Sequence, residues 1–195
     1  MSGMINLSNY DIFVYVIISF KNKTHSTYPI LDCDGQLKPE VVQSTAHSSG
    51  SYPASNVLIL GETDGWTNGK TNFWVAEWQK TTGQGFTIRL DACARMIASF
   101  QIKNLGKGGY GVYATKNFKI SGSHNENGPW KTLMEDQLID TRFKDAPLLN
   151  FTFDQPVEIQ FIKFDLVSYW GSNGGALQYF AAILATSKKH QSILK

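Results

Sequence analysis

The sequence predicts an all-β protein, built as an antiparallel β-sandwich or jelly roll. Several short segments alternate between apolar and polar residues, as half-buried strands do. Glycine-rich connections, not amphipathic helices, separate these segments. The composition agrees, because 42% hydrophobic and 17% charged residues are typical of a folded chain. A chain of 195 residues is long enough for one such domain with a tail at each end.

The domain boundaries follow from where the alternation begins and ends. We predict an N-terminal appendage over residues 1–40, a sandwich domain over residues 41–185 and a C-terminal tail over residues 186–195. The apolar run from Tyr10 to Phe20 is about half the length of a membrane-spanning helix and contains Asp11. It is similar to the apolar part of a signal peptide, but no basic residue precedes it and no small-x-small cleavage site follows promptly. We therefore expect a strand or a loosely packed appendage there.

The clearest pair of strands flanks a long loop. In the segment from Met96 to Lys103, the even-numbered residues Met96, Ala98, Phe100 and Ile102 are predicted to face the core. A second alternating run follows the loop and places Phe118 and Ile120 inward. Another strand, over residues 84–90, precedes this pair. Loops of this length in a compact domain are usually functional.

The later elements are less regular. Residues 132–143 fit a strand with a turn, and a short helix is the alternative. A strand over residues 149–153 is expected to end at Asp154–Pro156. In residues 157–166 the apolar parity slips, which predicts either a bulge near Phe161 or two short strands. A final strand closes the domain near Leu184.

The cysteines and two short motifs bear on processing. Cys93 lies in an apolar run, so we expect a buried free thiol, although a disulfide with Cys33 is possible. Asn22–Thr24 and Asn150–Thr152 match the acceptor pattern for N-glycosylation. Such matches arise often by chance, and Asn150 is predicted to lie in a strand.

Several classes of function are not expected. A net charge of +2 and a pI near 8.4 are too mild for a nucleic-acid partner. Gly106, Gly108 and Gly111 form a G-x-G-x-x-G pattern, but a predicted strand follows where a dinucleotide site needs a helix. The four histidines are scattered, and the sequence has no G-x-S-x-G, H-E-x-x-H or P-loop motif. We therefore expect no catalysis.

Between about Ser44 and Ile183 the chain resembles the discoidin, or coagulation-factor type C, domain of the galactose-binding-like superfamily. The matching pieces occur in the family's order, and the resemblance covers about three quarters of the sequence. These pieces are Ser51–Asn56, Asp64–Gly65, Thr71–Trp74, Gly85–Asp91, Tyr113–Ser121, Gly128–Trp130, Phe161–Phe164, Trp170–Gly171 and Ala176–Leu177.

The resemblance implies a jelly-roll sandwich whose loops at one end bind a ligand. Members of the family bind galactose-type glycans, phospholipid head groups or protein partners, and most lack catalysis. Two family features are absent from this sequence. No cysteine follows Cys93 to form the disulfide that ties the domain's ends, and the last strand, Leu177–Phe180, lacks the carboxylate that helps many glycan-binding members hold calcium. Asp64 remains a possible calcium ligand, together with loop carbonyls.

The same loops supply the candidate ligand contacts. Tryptophans 74 and 78 adjoin a strand and Trp130 ends a turn, so these rings are expected in the core. The aromatic and polar residues predicted to contact a ligand are Trp66, Asn68, Asn104, Lys107, Tyr110, Arg142, Trp170 and Asn173. A single loop asparagine is more often a turn residue than a ligand contact.

The sequence thus predicts a non-catalytic, lectin-like module with a glycan as its partner and calcium as a possible cofactor. The alternative is a phospholipid-binding or protein-adhesion module, since four lysines, at 103, 107, 116 and 119, lie around the long loop. Lys116 and Lys119 also fit the solvent face of a strand. The sequence does not settle localisation. The absence of a convincing signal peptide and of the terminal disulfide favours an intracellular or unconventionally exported protein.

Overall fold

A computed structural model describes residues 36–45, 52–60, 66–67, 70–71, 73–106 and 111–185, with only the backbone for 66–67, 70–71 and Gly111. Two 3-10 helices, Ala54–Leu58 and Gly111–Tyr113, lie in this part of the chain. None of its helices is long and apolar enough to cross a membrane. The strands are β1 (Glu40–Ser44), β2 (Trp66–Thr67), β3 (Lys70–Thr71), β4 (Trp74–Val75), β5 (Gly85–Arg89), β6 (Arg95–Lys103), β7 (Asn117–Ser123), β8 (Lys131–Gln137), β9 (Leu148–Ile159), β10 (Phe161–Leu166), β11 (Ala176–Leu177) and β12 (Tyr179–Leu184).

The strands form two main antiparallel sheets, which confirms the predicted fold class. The larger sheet has the order β1-β5-β10-β7-β8, and the smaller has the order β12-β6-β9. The short strands β4 and β11 pair with each other, as do β2 and β3. Strands β8 and β9 are therefore edges of their sheets.

An aromatic cluster joins the two main sheets. Phe86 and Phe164 of the larger sheet stack with ring centroids 5.0 Å apart, and Phe118 stacks on Phe164 at 5.7 Å. From the smaller sheet, Phe180 meets Phe164 edge to face at 6.2 Å. Phe100 lies 5.4 Å from Phe180. All five side chains are almost completely buried, so the alternating phenylalanines of the sequence form the centre of the core.

The predicted facing of β6 is right in one half of the strand and wrong in the other. Phe100 and Ile102 are buried, as expected, but Met96 is 45% exposed and its neighbour Ile97 is buried. In the pairing of β6 with β12, Ser99 lies opposite Ile183 and Ile97 lies opposite the next residue, Leu184, so β6 has one extra residue between Ile97 and Ser99. Since a bulge adds one residue to the strand, it exchanges the inward and outward parity on its two sides.

The parity slip near Phe161 marks a change of sheet. Strand β9 ends at Ile159, and β10 begins at Phe161 in the other sheet, so the alternative of two strands is correct. The expectation that this strand ends at Asp154–Pro156 is wrong, because β9 continues to Ile159. Those residues interrupt the pairing with β6, because Thr152 lies opposite Ser99 and Val157 opposite Ile97. The turn residues thus produce an irregularity in an edge strand, where proline is tolerated.

The residues just before 41 contact the sandwich, and the state of Cys93 differs from expectation. The sandwich includes residues before 41, because Leu37 is buried and Lys38 N–H donates to the Leu90 carbonyl at 3.1 Å. Cys93 is half-buried and disulfide-bonded, so the expected free thiol is wrong. The chain's other cysteine, Cys33, lies outside the described residues, as do the run Tyr10–Phe20 and the tail 186–195.

Candidate functional site

The candidate site is the end of the sandwich at which β6, β8 and β10 finish and β7 begins, which we call the loop pole. Its described loops are residues 76–84, 104–106, 111–116, 138–147 and 167–175. Backbone hydrogen bonds tie these loops together. Trp170 N–H donates to the Ala114 carbonyl at 2.8 Å, and Leu138 N–H donates to the Lys116 carbonyl at 2.8 Å. Segments distant in sequence therefore form one surface.

Trp170 lies in the middle of this surface. Its indole Nε1–H donates to the Leu138 carbonyl at 3.0 Å, which fixes the orientation of the ring. The Lys116 ammonium lies 4.6 Å from the ring centroid. The residue is half-buried, so its ring is held in place while part of the residue still faces solvent.

Gly171 lets the Trp170 loop approach the 3-10 helix Gly111–Tyr113. A Cβ at Gly171 would overlap the Val112 carbonyl, so a larger residue would push the two loops apart. Gly174 has a φ of +140°, a backbone conformation that side chains disfavour. These two glycines allow residues 170–175 to lie flat across neighbouring loops.

Trp78 adds a second exposed ring to the loop pole, and the expectation that it belongs to the core is wrong. It is 53% exposed, whereas Trp74 is fully buried as predicted. The next residue, Gln79, donates its N–H to the Asn173 carbonyl at 3.0 Å, so Trp78 borders the loop that follows Trp170. Trp130, also expected in the core, is half-buried at the opposite end of the sandwich.

Asn104 is part of the scaffold and does not present its amide to the surface. It is 2% exposed. Its Oδ1 accepts hydrogen bonds from the backbone N–H groups of Leu105 and Thr115, each at 3.0 Å. Its Nδ2 donates to the Thr115 carbonyl at 2.8 Å. Burial and these three bonds correct the prediction that Asn104 contacts a ligand: it closes the base of the long loop instead.

Arg142 is at the loop pole but pairs with its own loop. Its Nε donates to Asp140 Oδ1 at 3.1 Å, and its second guanidinium nitrogen donates to Asp140 Oδ2 at 2.8 Å. The hydrogen bond from Arg142 lowers the pKa of the Asp140 carboxyl below its usual range. The pair adjoins a turn closed by a hydrogen bond from Lys144 N–H to the Thr141 carbonyl at 3.4 Å, and Phe143 in that turn is 85% exposed.

The remaining candidates divide by what the structure describes. Asn173 is half-buried, and its Oδ1 accepts from Ser172 Oγ at 2.9 Å. Asn68, Lys107, Tyr110 and the possible calcium ligand Asp64 lie outside the described residues, and for Trp66 only the backbone is described. Within the described ranges, no group of three or more His, Cys, Asp or Glu residues could hold a metal ion.

A cleft of about 460 Å³ lies at the other end of the sandwich, between the edges of the two sheets. Its floor is apolar, formed by Leu133, Val157 and Ile159, and His124 and Lys131 lie on its rim. Of the predicted ligand contacts whose side chains the structure describes, Asn104, Arg142, Trp170 and Asn173, none borders this cleft.

Comparison with known proteins agrees with the architecture. By sequence, no curated protein matches the chain. By structure, it is similar to the family 32 carbohydrate-binding module of Clostridium perfringens NanJ in complex with galactose (TM-score 0.51, 18% identity, covering 75% of this chain and 92% of that one). A second C. perfringens module, CpGH89CBM32-5 in complex with GalNAc-β-1,3-galactose, has a TM-score of 0.51 at 10% identity and covers 75% and 94% of the two chains.

An enzyme is also among the similar structures. An allantoicase has a TM-score of 0.52 at 10% identity, and the match covers 76% of this chain but only 41% of that one. At identities this low, each likeness concerns the fold alone. The galactose-binding-like jelly roll expected from the resemblance is confirmed by these neighbours.

Family membership follows from the sequence match. Residues 41–180 match the F5/8 type C domain, which is the discoidin family indicated by the ordered motifs. The match extends from β1 to the start of β12 and includes every described loop of the loop pole. The chain therefore belongs to the F5/8 type C domain family.

Proposed function

We propose that the chain is a non-catalytic carbohydrate-binding module whose ligand lies on the loop pole. The observation that carries the proposal is the pair of accessible indole rings, Trp78 and Trp170, on loops joined by the bond between Gln79 N–H and the Asn173 carbonyl. Exposed rings on a braced surface match the amphipathic character of a sugar, which has flat patches of C–H groups bordered by hydroxyls.

The polar groups around the rings can bind the hydroxyls. Lys116 Nζ, at 4.6 Å from the Trp170 centroid, carries N–H donors beside the aromatic face. Asn173, the residue after Ser172, carries a side-chain amide whose Oδ1 accepts from Ser172 Oγ and whose NH₂ group can donate to a sugar hydroxyl. In the proposed complex, the Trp170 ring sets the plane of the sugar, and Lys116 and Asn173 select which hydroxyls face them.

The expected affinity is low. Covering one large ring contributes roughly 1.5–3 kcal/mol, and each hydrogen bond adds about 0.5–1.5 kcal/mol. Association and ordering oppose these gains by several kcal/mol, on the order of 4 or more. The balance is a net gain of only a few kcal/mol, so we expect single-site dissociation constants in the millimolar range, where 1 mM corresponds to about −4.1 kcal/mol.

Galactose-configured sugars are the first ligands to test. Two structural neighbours were solved with galactose and with GalNAc-β-1,3-galactose. A calcium requirement is a separate proposal that rests on Asp64, so binding is measured with calcium and with a chelator. The proposal of a glycan ligand survives either result of that comparison.

A glycan array probed with the full chain tests the proposal. We expect binding to galactose-terminated glycans, and a loss of about tenfold in affinity for Trp78→Ala and for Trp170→Ala. Trp130→Ala is the matched control, because it removes a half-buried indole at the opposite end. Binding that survives both loop substitutions but disappears with the control variant would contradict the assignment to the loop pole. Hydrolysis of a bound glycoside would contradict the proposal of a non-catalytic module and would indicate an enzyme.

One observation favours a second candidate, an anionic membrane surface. Phe143 is 85% exposed, lies under the Arg142 guanidinium at 5.4 Å and precedes Lys144. An exposed ring between two cationic side chains suits the interface of an anionic bilayer. Against it, Lys119 pairs with Glu135 at 3.6 Å, so the positive charge of that lysine is offset by a neighbouring carboxylate.

Liposome flotation separates this candidate from the glycan. A membrane-binding module would float with vesicles containing phosphatidylserine, remain in solution with phosphatidylcholine vesicles, and lose binding at high salt. Phe143→Ala would weaken flotation, whereas Met96→Ala would not, since Met96 is an exposed apolar residue at the other end of β6. Flotation unaffected by Phe143→Ala would remove the membrane candidate.

A further inference from the structure

We propose that Asn150 is a site of N-linked glycosylation. Asn150, Phe151 and Thr152 form the acceptor tripeptide, and it is the one match to that pattern within the described residues. Two further matches, at Asn6 and Asn22, lie outside them. A position in a strand can bury an acceptor asparagine, but Asn150 lies in β9 with its side chain exposed.

The tripeptide presents both of its reactive side chains to solvent. Asn150 and Thr152 are exposed, and Phe151 between them is turned inward. The Phe151 ring meets the buried Phe118 edge to face at 5.4 Å. Because side chains alternate along a strand, the acceptor amide and the hydroxyl two residues later share the outer face.

The place of β9 in the sheet leaves room for a glycan. Strand β9 is an edge strand, paired on one side with β6. Asn150 lies opposite Gln101 in that pairing and follows Leu149, the strand's second residue. A glycan at Asn150 would extend from the outer face next to an open strand edge, a position that natural proteins usually protect against pairing with other chains.

The disulfide supplies an independent indication. Cys93 is disulfide-bonded, and disulfides persist mainly in the secretory pathway and outside the cell. N-glycosylation takes place in the same oxidising compartment. An exposed acceptor and an oxidised cysteine in one domain are together more informative than either alone.

The modification is a group transfer to the amide nitrogen. The donor is an oligosaccharide linked through its anomeric carbon to a lipid pyrophosphate. Asn150 Nδ2 forms a bond to the anomeric carbon, the bond from that carbon to the pyrophosphate oxygen breaks, and the amide loses one proton. The lipid pyrophosphate leaves, and no oxidation or reduction occurs.

Expression of the full chain behind a secretion signal in a eukaryotic cell, followed by peptide mass spectrometry, tests the proposal, because the signal brings the chain into the compartment where N-glycosylation takes place. We expect the peptide containing Asn150 to carry a hexosamine-based glycan, and a peptide N-glycosidase to remove it and leave Asp at that position. Asn150→Gln and Thr152→Ala should abolish the modification. Thr152→Ser, which keeps the hydroxyl, should retain it, and Asn127→Gln is the control at an exposed asparagine outside any acceptor tripeptide.

The two other acceptor tripeptides do not confuse the result, because each peptide is read separately. An unmodified Asn150 peptide from folded protein would overturn the proposal, whatever happens at Asn6 and Asn22. Equal glycan occupancy in wild type and Thr152→Ala would overturn it too, since the hydroxyl would then have no part in recognition. Circular dichroism of each variant confirms that the fold is unchanged.

Discussion

Replacing Asn104 by Ala tests whether the base of the long loop is scaffold or ligand surface. The substitution removes one donor and one acceptor atom and leaves three backbone groups without their partners: the N–H of Leu105, and the N–H and carbonyl of Thr115. A buried polar group left unsatisfied costs about 1–3 kcal/mol. A water molecule entering the vacated space can replace part of the loss, so we expect a net destabilisation of about 2–4 kcal/mol.

Urea unfolding followed by tryptophan fluorescence measures this loss. For a domain of this size, about 2–4 kcal/mol corresponds to a fall in melting temperature of roughly 5–15 °C. Asn127→Ala is the matched control, since that side chain is exposed in a turn and should change stability by less than about 0.5 kcal/mol. If Asn104→Ala unfolded at the wild-type urea concentration and only glycan affinity fell, Asn104 would be a ligand contact after all.

Three further substitutions test the packing and titration of the domain. Gly171→Ala should destabilise the chain by roughly 1–3 kcal/mol and weaken ligand binding, because the added methyl would displace the Val112 carbonyl. Asp91→Asn should cost about 2–4 kcal/mol, since it leaves the 11%-exposed Arg95 without the carboxylate 2.5 Å away. Burial raises the pKa of the Tyr179 phenol. The stability that the neutral phenol contributes is therefore complete below about pH 10, the pKa of the unfolded state, and is lost as pH rises through the folded-state pKa. Tyr179→Phe should flatten that decline in alkaline unfolding curves.

Matched variants define the outcomes for these three. Glu135→Gln breaks an exposed ion pair with Lys119 and should change stability by at most about 1 kcal/mol. A loss equally small for Asp91→Asn would show that the Asp91 carboxylate is dispensable. If Gly171→Ala had wild-type stability, the close approach of the two loops would not require glycine. If Tyr179→Phe left the alkaline unfolding curve unchanged, ionisation of Tyr179 would not cause the loss of stability at high pH.

The strands could be predicted because alternation reports which face of a sheet is buried. Phe100, Ile102 and Phe118 lie in the core, where the pattern placed them. The errors occur where the chain departs from a uniform strand. A bulge in β6 turned Met96 outward, and β9 continued through Pro156 because an edge strand tolerates a missing donor. Neither feature leaves a signal in residue periodicity.

The candidate site was less accessible to sequence reasoning, since its residues belong to loops. The role of Asn104 depends on Thr115, which is 11 residues further along the chain and is brought back by the loop between them. Trp78 follows a strand of only two residues, Trp74–Val75, so no alternation fixed its direction. The turn at Gln79, with a φ of 57°, leads the chain away from the core. Contacts between loops, not local pattern, decided each case.

The hydrogen bonds at the loop pole indicate which residues remain for a ligand. Asn104 and Thr115 bind backbone groups, and Arg142 binds Asp140, so these polar side chains already have partners within the fold. Among the described residues of the pole, Trp78 and Phe143 are exposed rings, and Trp170 is a half-buried ring with the Lys116 ammonium beside it. A surface of that kind recognises the apolar face of its ligand first and its hydroxyls second. Ligand selectivity should therefore depend more on which face of a sugar is free of axial hydroxyls than on the number of hydrogen bonds it can accept.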